Sequence, residues 1–354
     1  RYPQVNSGRA DQGRRRTPEN SDRGEEWHRM STATSEQTKF GPRKGERPLG
    51  GHVTEALQTQ RNDFWQKGPL LTLLGFGAFV VYVHFRAFMG TEYYAAPYLS
   101  PFYSPLVYAN PDFFAGSPTF HSLMGNLPQG AIDFWKGMVG WLPIALPLSP
   151  AFFILLFPAS FRGTCYYYRK AYYRSLVGSP AGCSVCPLSS GTYQGETKLL
   201  LIQNLHRYAM YGAVAFIFIL TYDFWLALWM PIDATGAPWV SNALSGADPA
   251  GYQFGFGVGS LIMGLNVVFL GGYTFGCHSW RHVVGGRLNR FANGNSGSTG
   301  LTYAIWKGST WLNERHMPLA WISLFWVMFT DLYVWAVCNG WITDYNTWST
   351  VSGQ

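Results

Sequence analysis

Five stretches of this chain each have the length a hydrocarbon core demands, ~20 mostly apolar residues for ~30 Å. They lie at 69–89 (PLLTLLGFGAFVVYVHFRAFM), 138–160 (GMVGWLPIALPLSPAFFILLFPA), 209–230 (AMYGAVAFIFILTYDFWLALWM), 252–276 (YQFGFGVGSLIMGLNVVFLGGYTFG) and 318–338 (PLAWISLFWVMFTDLYVWAVC). Backbone in lipid has no water to bond, so such segments fold as helices. The expected fold is an all-α membrane protein with five transmembrane helices. Only 13% of residues are charged, where a soluble domain carries about a quarter. The second stretch is rich in proline and predicts a kink. The fourth carries Gly255, Gly257, Gly259 and Gly264, small residues that let helices approach closely.

Lysine and arginine give the orientation. Arg162, Arg169, Lys170, Arg174 and Lys198 fall in 161–200, and Arg281, Arg287, Arg290, Lys307 and Arg315 in 277–317. The segments 90–133, 231–251 and 339–354 contain none. The positive-inside rule then places the N-terminus and both basic loops in the cytoplasm and the C-terminus outside. The net charge of +7 is thus topological, which removes the case for nucleic-acid binding.

The expected organisation is a disordered cytoplasmic tail (1–67), a five-helix domain (68–340) and an outer tail (341–354). The domain has cytoplasmic loops 161–205 and 277–317 and an outer loop 90–133, rich in Pro, Tyr and Phe, lying over the outer face. Residues 1–29 have no apolar core and carry acidic residues, unlike a signal or transit peptide. Met30 begins an ordinary polar start, and Glu25-Glu26 can be encoded as a ribosome-binding sequence. Residues 1–29 are therefore read as upstream translation.

The reactive side chains gather on the side read as cytoplasmic. Cys165 follows the second stretch, and Cys183 and Cys186 lie in the next loop. His206 opens the third stretch; Cys277, His278 and His282 end the fourth; His316 opens the fifth. Four of 5 cysteines and four of 8 histidines thus fall at similar depth. Each alone reads as a small hydrophobe or an interfacial imidazole. Together they point to a metal or cofactor site.

Three occupants are open. One haem b needs two histidines facing each other, such as His206 with His278, His282 or His316. Structural zinc usually takes paired CxxC or CxxH units, and only Cys183 and Cys186 form one. Two or three cysteines with two histidines fit a Rieske-type [2Fe–2S] centre, with two Cys on one iron and two His on the other. Arg162, His206, Tyr208 and Trp280 are candidate neighbours of a quinone headgroup. Asp223 and Asp331, inside the third and fifth stretches, read equally as helix–helix hydrogen bonds and as a proton path.

The segments SFRGTCYYYRKAYYRSL, QNLHRYAMY, TYDFW, CHSWRHVVGGRL, ERHMPLAWISL and FTDLYVWA together resemble the five-helix membrane-anchor subunit of actinobacterial-type succinate dehydrogenase. The resemblance covers about residues 40 to 345. It implies a multi-pass subunit of the bacterial plasma membrane, in complex with a FAD-bearing flavoprotein and an iron–sulfur subunit. Electrons from succinate would pass to menaquinone or another quinone, and the mycobacterial form of the family carries a Rieske-type cluster where relatives carry haem b. The chain itself would not oxidise succinate, since it has no dinucleotide-binding fingerprint. Carried over by position, Cys165, Cys183, Cys277, His206, His278 and His282 are the candidate ligands, of which a cluster needs four. His278 and His282 share a helical face at i, i+4 and are the favoured histidine pair. Gly285-Gly286 is the expected helix end. The other readings are haem b in the same complex and a zinc-stabilised scaffold or transporter.

Overall fold

The computed structural model describes residues 63–108, 122–142, 148–178, 185, 199–236, 239, 249–286, 288 and 298–348. All belong to one compact unit, Leu57–Gln354. Residues 1–62 of the expected tail (1–67), Cys183 and Cys186 lie outside these residues.

The helices are α1 (Lys67–Met89), α2 (Gln129–Val139), α3 (Ala151–Thr164), α4 (Tyr166–Tyr172, continued by a π-helical turn at Tyr173–Val177), α5 (Leu199–Leu226), α6 (Val258–Phe275), α7 (His278–Gly285), α8 (Ser298–Glu314) and α9 (His316–Cys338). α1, α5, α6 and α9 are long and apolar enough to cross a membrane. The chain is an all-α, multi-pass membrane protein.

The second predicted span differs. Its first helix ends at Val139 and the next begins at Ala151, and 143–147 lie outside the described residues. Pro150 has no N–H to give and disfavours helix at Ser149, which suits it to the start of α3. α3 keeps 14 residues, ~21 Å at 1.5 Å per residue.

α9 buries Ala320, Ser323, Leu324, Val327, Thr330, Asp331 and Val334, a stripe at i, i+3, i+4 and i+7 spacing. That stripe packs on α6, and α6 in turn on α5. Gly264 lets helices approach as expected, since a Cβ there would meet the Phe224 ring of α5 at 2.9 Å, whereas one on Gly259 would meet the ring of Tyr98, outside the helices, at 2.5 Å. α1 fully buries only Arg86 and Ala87, with Phe76, Phe79, Tyr82 and Val83 half-buried against the core, and it ends on Gly90 at φ 71°, a left-handed stop.

The bundle end near Arg86 is capped by the segment after α1. The two-stranded ladders β1 (Tyr94–Ala95) with β2 (Tyr98–Leu99), and β3 (Trp229–Ile232) with β4 (Gly251–Phe254), are both antiparallel. Tyr93 stacks on Tyr103 at 4.4 Å, and the Tyr103 hydroxyl donates to Arg86 O at 2.5 Å. Of the aromatic-rich segment 90–133, residues 90–108 cover this end of the bundle, and 109–121 lie outside the described residues.

The intramembrane carboxylates belong to the same cap. Asp331 accepts from Arg86 Nε at 2.8 Å and Tyr82 Oη at 2.6 Å, and from the Ser100 hydroxyl. Asp223 accepts from the Ser104 hydroxyl. Both tie helices to the covering segment.

Candidate metal and electron-transfer site

At the other end of the bundle, two helices break at cysteines in the same backbone conformation. Cys165 separates α3 from α4 with φ −63° and ψ 127°. Cys277 separates α6 from α7 with φ −65° and ψ 139°. Each is the N-cap of a short helix, a position whose side chain faces otherwise unpaired N–H groups. Such a position points a sulfur away from the helix body, where a metal could meet it. Burial pushes the Cys277 thiol up to about 11, against the pull of the Ser279 and Trp280 N–H groups. Deprotonation there calls for a compensating positive charge, which a metal supplies.

The break at Cys277 is built by its neighbours. The last carbonyls of α6 turn outward and find donors on α8: Ser309 Oγ to Phe275 O at 3.0 Å and Asn313 Nδ2 to Gly276 O at 2.8 Å. Gly276 is required, since a Cβ would lie 2.8 Å from Gly272 O and 3.1 Å from Leu312. The sequence reading continued α6 helically through His278; the structure starts a new helix there, so Cys277 and His278 do not share one helical wheel.

His206 projects from α5 towards this junction. Its Nε2 lies 3.1 Å from Cys277 Sγ and its Nδ1 2.9 Å from Thr164 Oγ1. The Thr164 hydroxyl spends its proton on Ser160 O at 2.7 Å, so it accepts from Nδ1–H. That network assigns the tautomer and leaves the Nε2 lone pair facing the thiol. The ring stacks on Phe161 at 4.9 Å with an interplanar angle of 4°.

A second pair lies beside the first. His316, the first residue of α9, places Nε2 3.8 Å from Cys165 Sγ, and its ring stacks on Tyr273 at 4.8 Å. Its Nδ1 is buried with no hydrogen-bond partner among the described residues. An orphaned imidazole nitrogen in a polar cavity is what an absent ligand would leave.

Both pairs line one cavity of about 640 Å³, with His278, His282, Arg169 and Arg207 around it. His278 and His282 meet edge-on at 4.3 Å, as the i, i+4 spacing predicted, but both are exposed. Burial and the nearby His282 and Arg281 lower the His278 pKa. α7 ends at Gly285 with Gly286 as its cap residue, the expected stop.

The residues read as quinone neighbours do not converge on one point. Arg162 donates to Tyr168 Oη at 2.5 Å, Ala320 O at 3.3 Å and Ser323 Oγ at 3.0 Å, with its guanidinium 4.7 Å from the Tyr273 ring centroid. Trp280 packs edge-on against Phe275. Tyr208 points away from the bundle, 72% exposed. Phe161, Arg162 and Tyr273 also line a second, apolar cavity of about 510 Å³ running between α1, α3, α5 and α6. His84 is the one histidine lining it, and its Nδ1 bonds to Val80 O of its own helix.

Two residues lining the cavity beside the cysteines were not in the ligand set expected from sequence. His316 was grouped with the cluster but left out of the ligand set, since nothing in NERHMP signals that its ring turns inward. Thr164 directly precedes Cys165, and only the three-dimensional position of His206 gives it a role. Among the described residues, no three of His, Cys, Asp and Glu meet tightly enough to hold a single ion. The donors come as two pairs.

A multi-pass helix bundle with thiols and imidazoles gathered at one end has the make-up of a membrane-anchor and electron-transfer subunit. The family model described as actinobacterial succinate dehydrogenase subunit SdhC matches residues 67–340, and this chain belongs to that family. Among solved structures it is similar to a chain of the Mycobacterium smegmatis Sdh1 complex in the apo form. The two are 37% identical, the match covers 86% of this chain and 97% of that one, and the TM-score is 0.61. No curated protein matches. The chain is thus the non-catalytic membrane subunit of a bacterial succinate dehydrogenase.

Proposed function

We propose that this subunit anchors a FAD-bearing flavoprotein and an iron–sulfur subunit to the membrane and relays electrons from succinate to a quinone through a Rieske-type [2Fe–2S] cluster. Cys165 and Cys277 would hold one iron and His206 and His316 the other. The observation that carries this reading is the meeting of two buried thiols with the buried His206 and the half-buried His316 in one cavity, with one ring nitrogen aimed by Thr164 and another without a hydrogen-bond partner among the described residues. The donor set matches the two-Cys, two-His requirement of such a centre.

This choice revises the favoured pair His278 and His282. Both are exposed, whereas His206 and His316 lie against the cysteines. When bound, the cluster supplies a one-electron carrier whose potential is raised by neutral imidazole ligands. The chain's own residues do the rest. Phe161 and Tyr273 hold the two rings by stacking, and Thr164 fixes the His206 tautomer.

A haem b would have to draw on His206 and a second histidine of the same cavity, and the two histidines nearest the cysteines each lie against a thiol instead of facing one another. Zinc would want four donors converging on one point, and the donors form two separate pairs. Arg162, which borders both cavities, is the best-placed of the quinone neighbours read from sequence. The basic loops put this end of the bundle on the cytoplasmic side, where the iron–sulfur subunit would dock.

Metal analysis of the purified complex tests the reading. Two irons beyond those of the soluble subunits are expected; none would sink both the cluster and haem.

A further inference from the structure

Helix α2 presents three different faces. Ile132 is 1% exposed and, with half-buried Trp135 and Val139, packs inward at i, i+3 and i+7. Gln129, Asp133 and Lys136 form an exposed polar face, where Gln129 Nε2 donates to Asp133 Oδ1 at 3.1 Å. The third face is apolar and exposed: Phe134, Met138 and, just past the helix, Trp141 are 73%, 49% and 79% exposed. Leu123 and Met124, also exposed, precede the helix. Their N–H groups donate to Leu106 O and Val107 O, which fixes this stretch to the capped end of the bundle.

We propose that α2 is an interfacial helix. It would lie along the bilayer surface at the end opposite the cysteines, with Phe134, Met138 and Trp141 among phospholipid acyl chains and Gln129, Asp133 and Lys136 in water. A helix with one exposed apolar face beside an exposed polar one fits a boundary between oil and water. The chain places it at such a boundary, because α3 enters the bundle's interior from Ala151 soon after. Its 11 residues reach ~16 Å, too short to cross ~30 Å of hydrocarbon. α3 at ~21 Å is also short of that thickness, so a lipid-seated α2 meets the bilayer where α3 does not reach. Tryptophan at the headgroup level is the usual anchor of such a segment. The inference rests on the fold and not on the cluster reading.

Photocrosslinking in native membranes tests it. p-Benzoylphenylalanine is placed singly at positions 134, 138 and 136 of the full chain, in the assembled complex. Irradiation should add the mass of one phospholipid at 134 and at 138, and no lipid at 136. A crosslink from 134 or 138 to a protein subunit or a second copy would overturn the proposal. So would unreacted probe at both positions, or equal lipid capture at all three. Each position sits on an exposed residue, so the probe can be accommodated without repacking the core, and 138 decides the matter alone if the chain with probe at 134 fails to accumulate.

Discussion

His206 and Cys277 come from different helices and meet with Nε2 3.1 Å from Sγ, while Thr164 on a third helix holds the other ring nitrogen at 2.9 Å. The contact ties the ends of α3, α5 and α6 into one polar cavity inside an otherwise apolar bundle. An imidazole in such a place is aimed by what its far nitrogen touches.

Thr164→Val keeps the shape of the side chain and removes the acceptor for Nδ1–H. Loss of an outer-shell partner of this kind typically lowers metal affinity ~10–100-fold. Iron per complex and the cluster's EPR amplitude should both fall, with membrane insertion intact. Thr164→Ser, which restores the hydroxyl, should recover both; a valine variant with wild-type iron and signal would show that Thr164 aims nothing.

His206→Ala and His316→Ala should each abolish the cluster signal, while His278→Ala and His282→Ala retain it. The contrast follows from contact with the thiols in one pair and exposure in the other. Low-temperature EPR of the four variants decides it. Loss of signal in His278→Ala with retention in His316→Ala would return the assignment to the i, i+4 pair.

The capped end makes a separate prediction. Arg86 and Asp331 are both 0% exposed and 2.8 Å apart, so removing one leaves a buried charge. Arg86→Met should destabilise the subunit by ~3–5 kcal/mol, seen as a lower melting temperature of the purified complex. Replacing both partners by apolar residues should cost less than replacing Arg86 alone.

Glycine positions in the helices differ in a way that a melting assay reads directly. Gly259→Ala drives a Cβ into the Tyr98 ring at 2.5 Å, a ring held in place by its hydroxyl's 2.7 Å bond to Asp344, and should cost ~1–3 kcal/mol. Gly77 has nothing within 4 Å of the same position, so Gly77→Ala should be neutral or stabilising.

Hydropathy made four of the helices legible, because length and apolar content are properties of sequence alone. In the second stretch the described helix begins only at Ala151 and has 14 residues, and hydropathy missed the division of faces along α2. The gathering of cysteines and histidines at one end was legible once the spans were placed. Which imidazole turns inward was not. The i, i+4 spacing of His278 and His282 is visible in sequence, but their exposure follows from the break at Cys277, which depends on Gly276 meeting Leu312 of another helix. The role of Thr164 needed the positions of Ser160 and His206 together.

The central claim is that two Cys–His pairs at one end of the bundle hold a Rieske-type cluster. Low-temperature EPR of the reduced, purified complex tests it most directly. The account predicts a low-average-g signal beyond those of the soluble subunits, and its absence, with a sharp Soret and α band in the optical spectrum of the same sample, would contradict it.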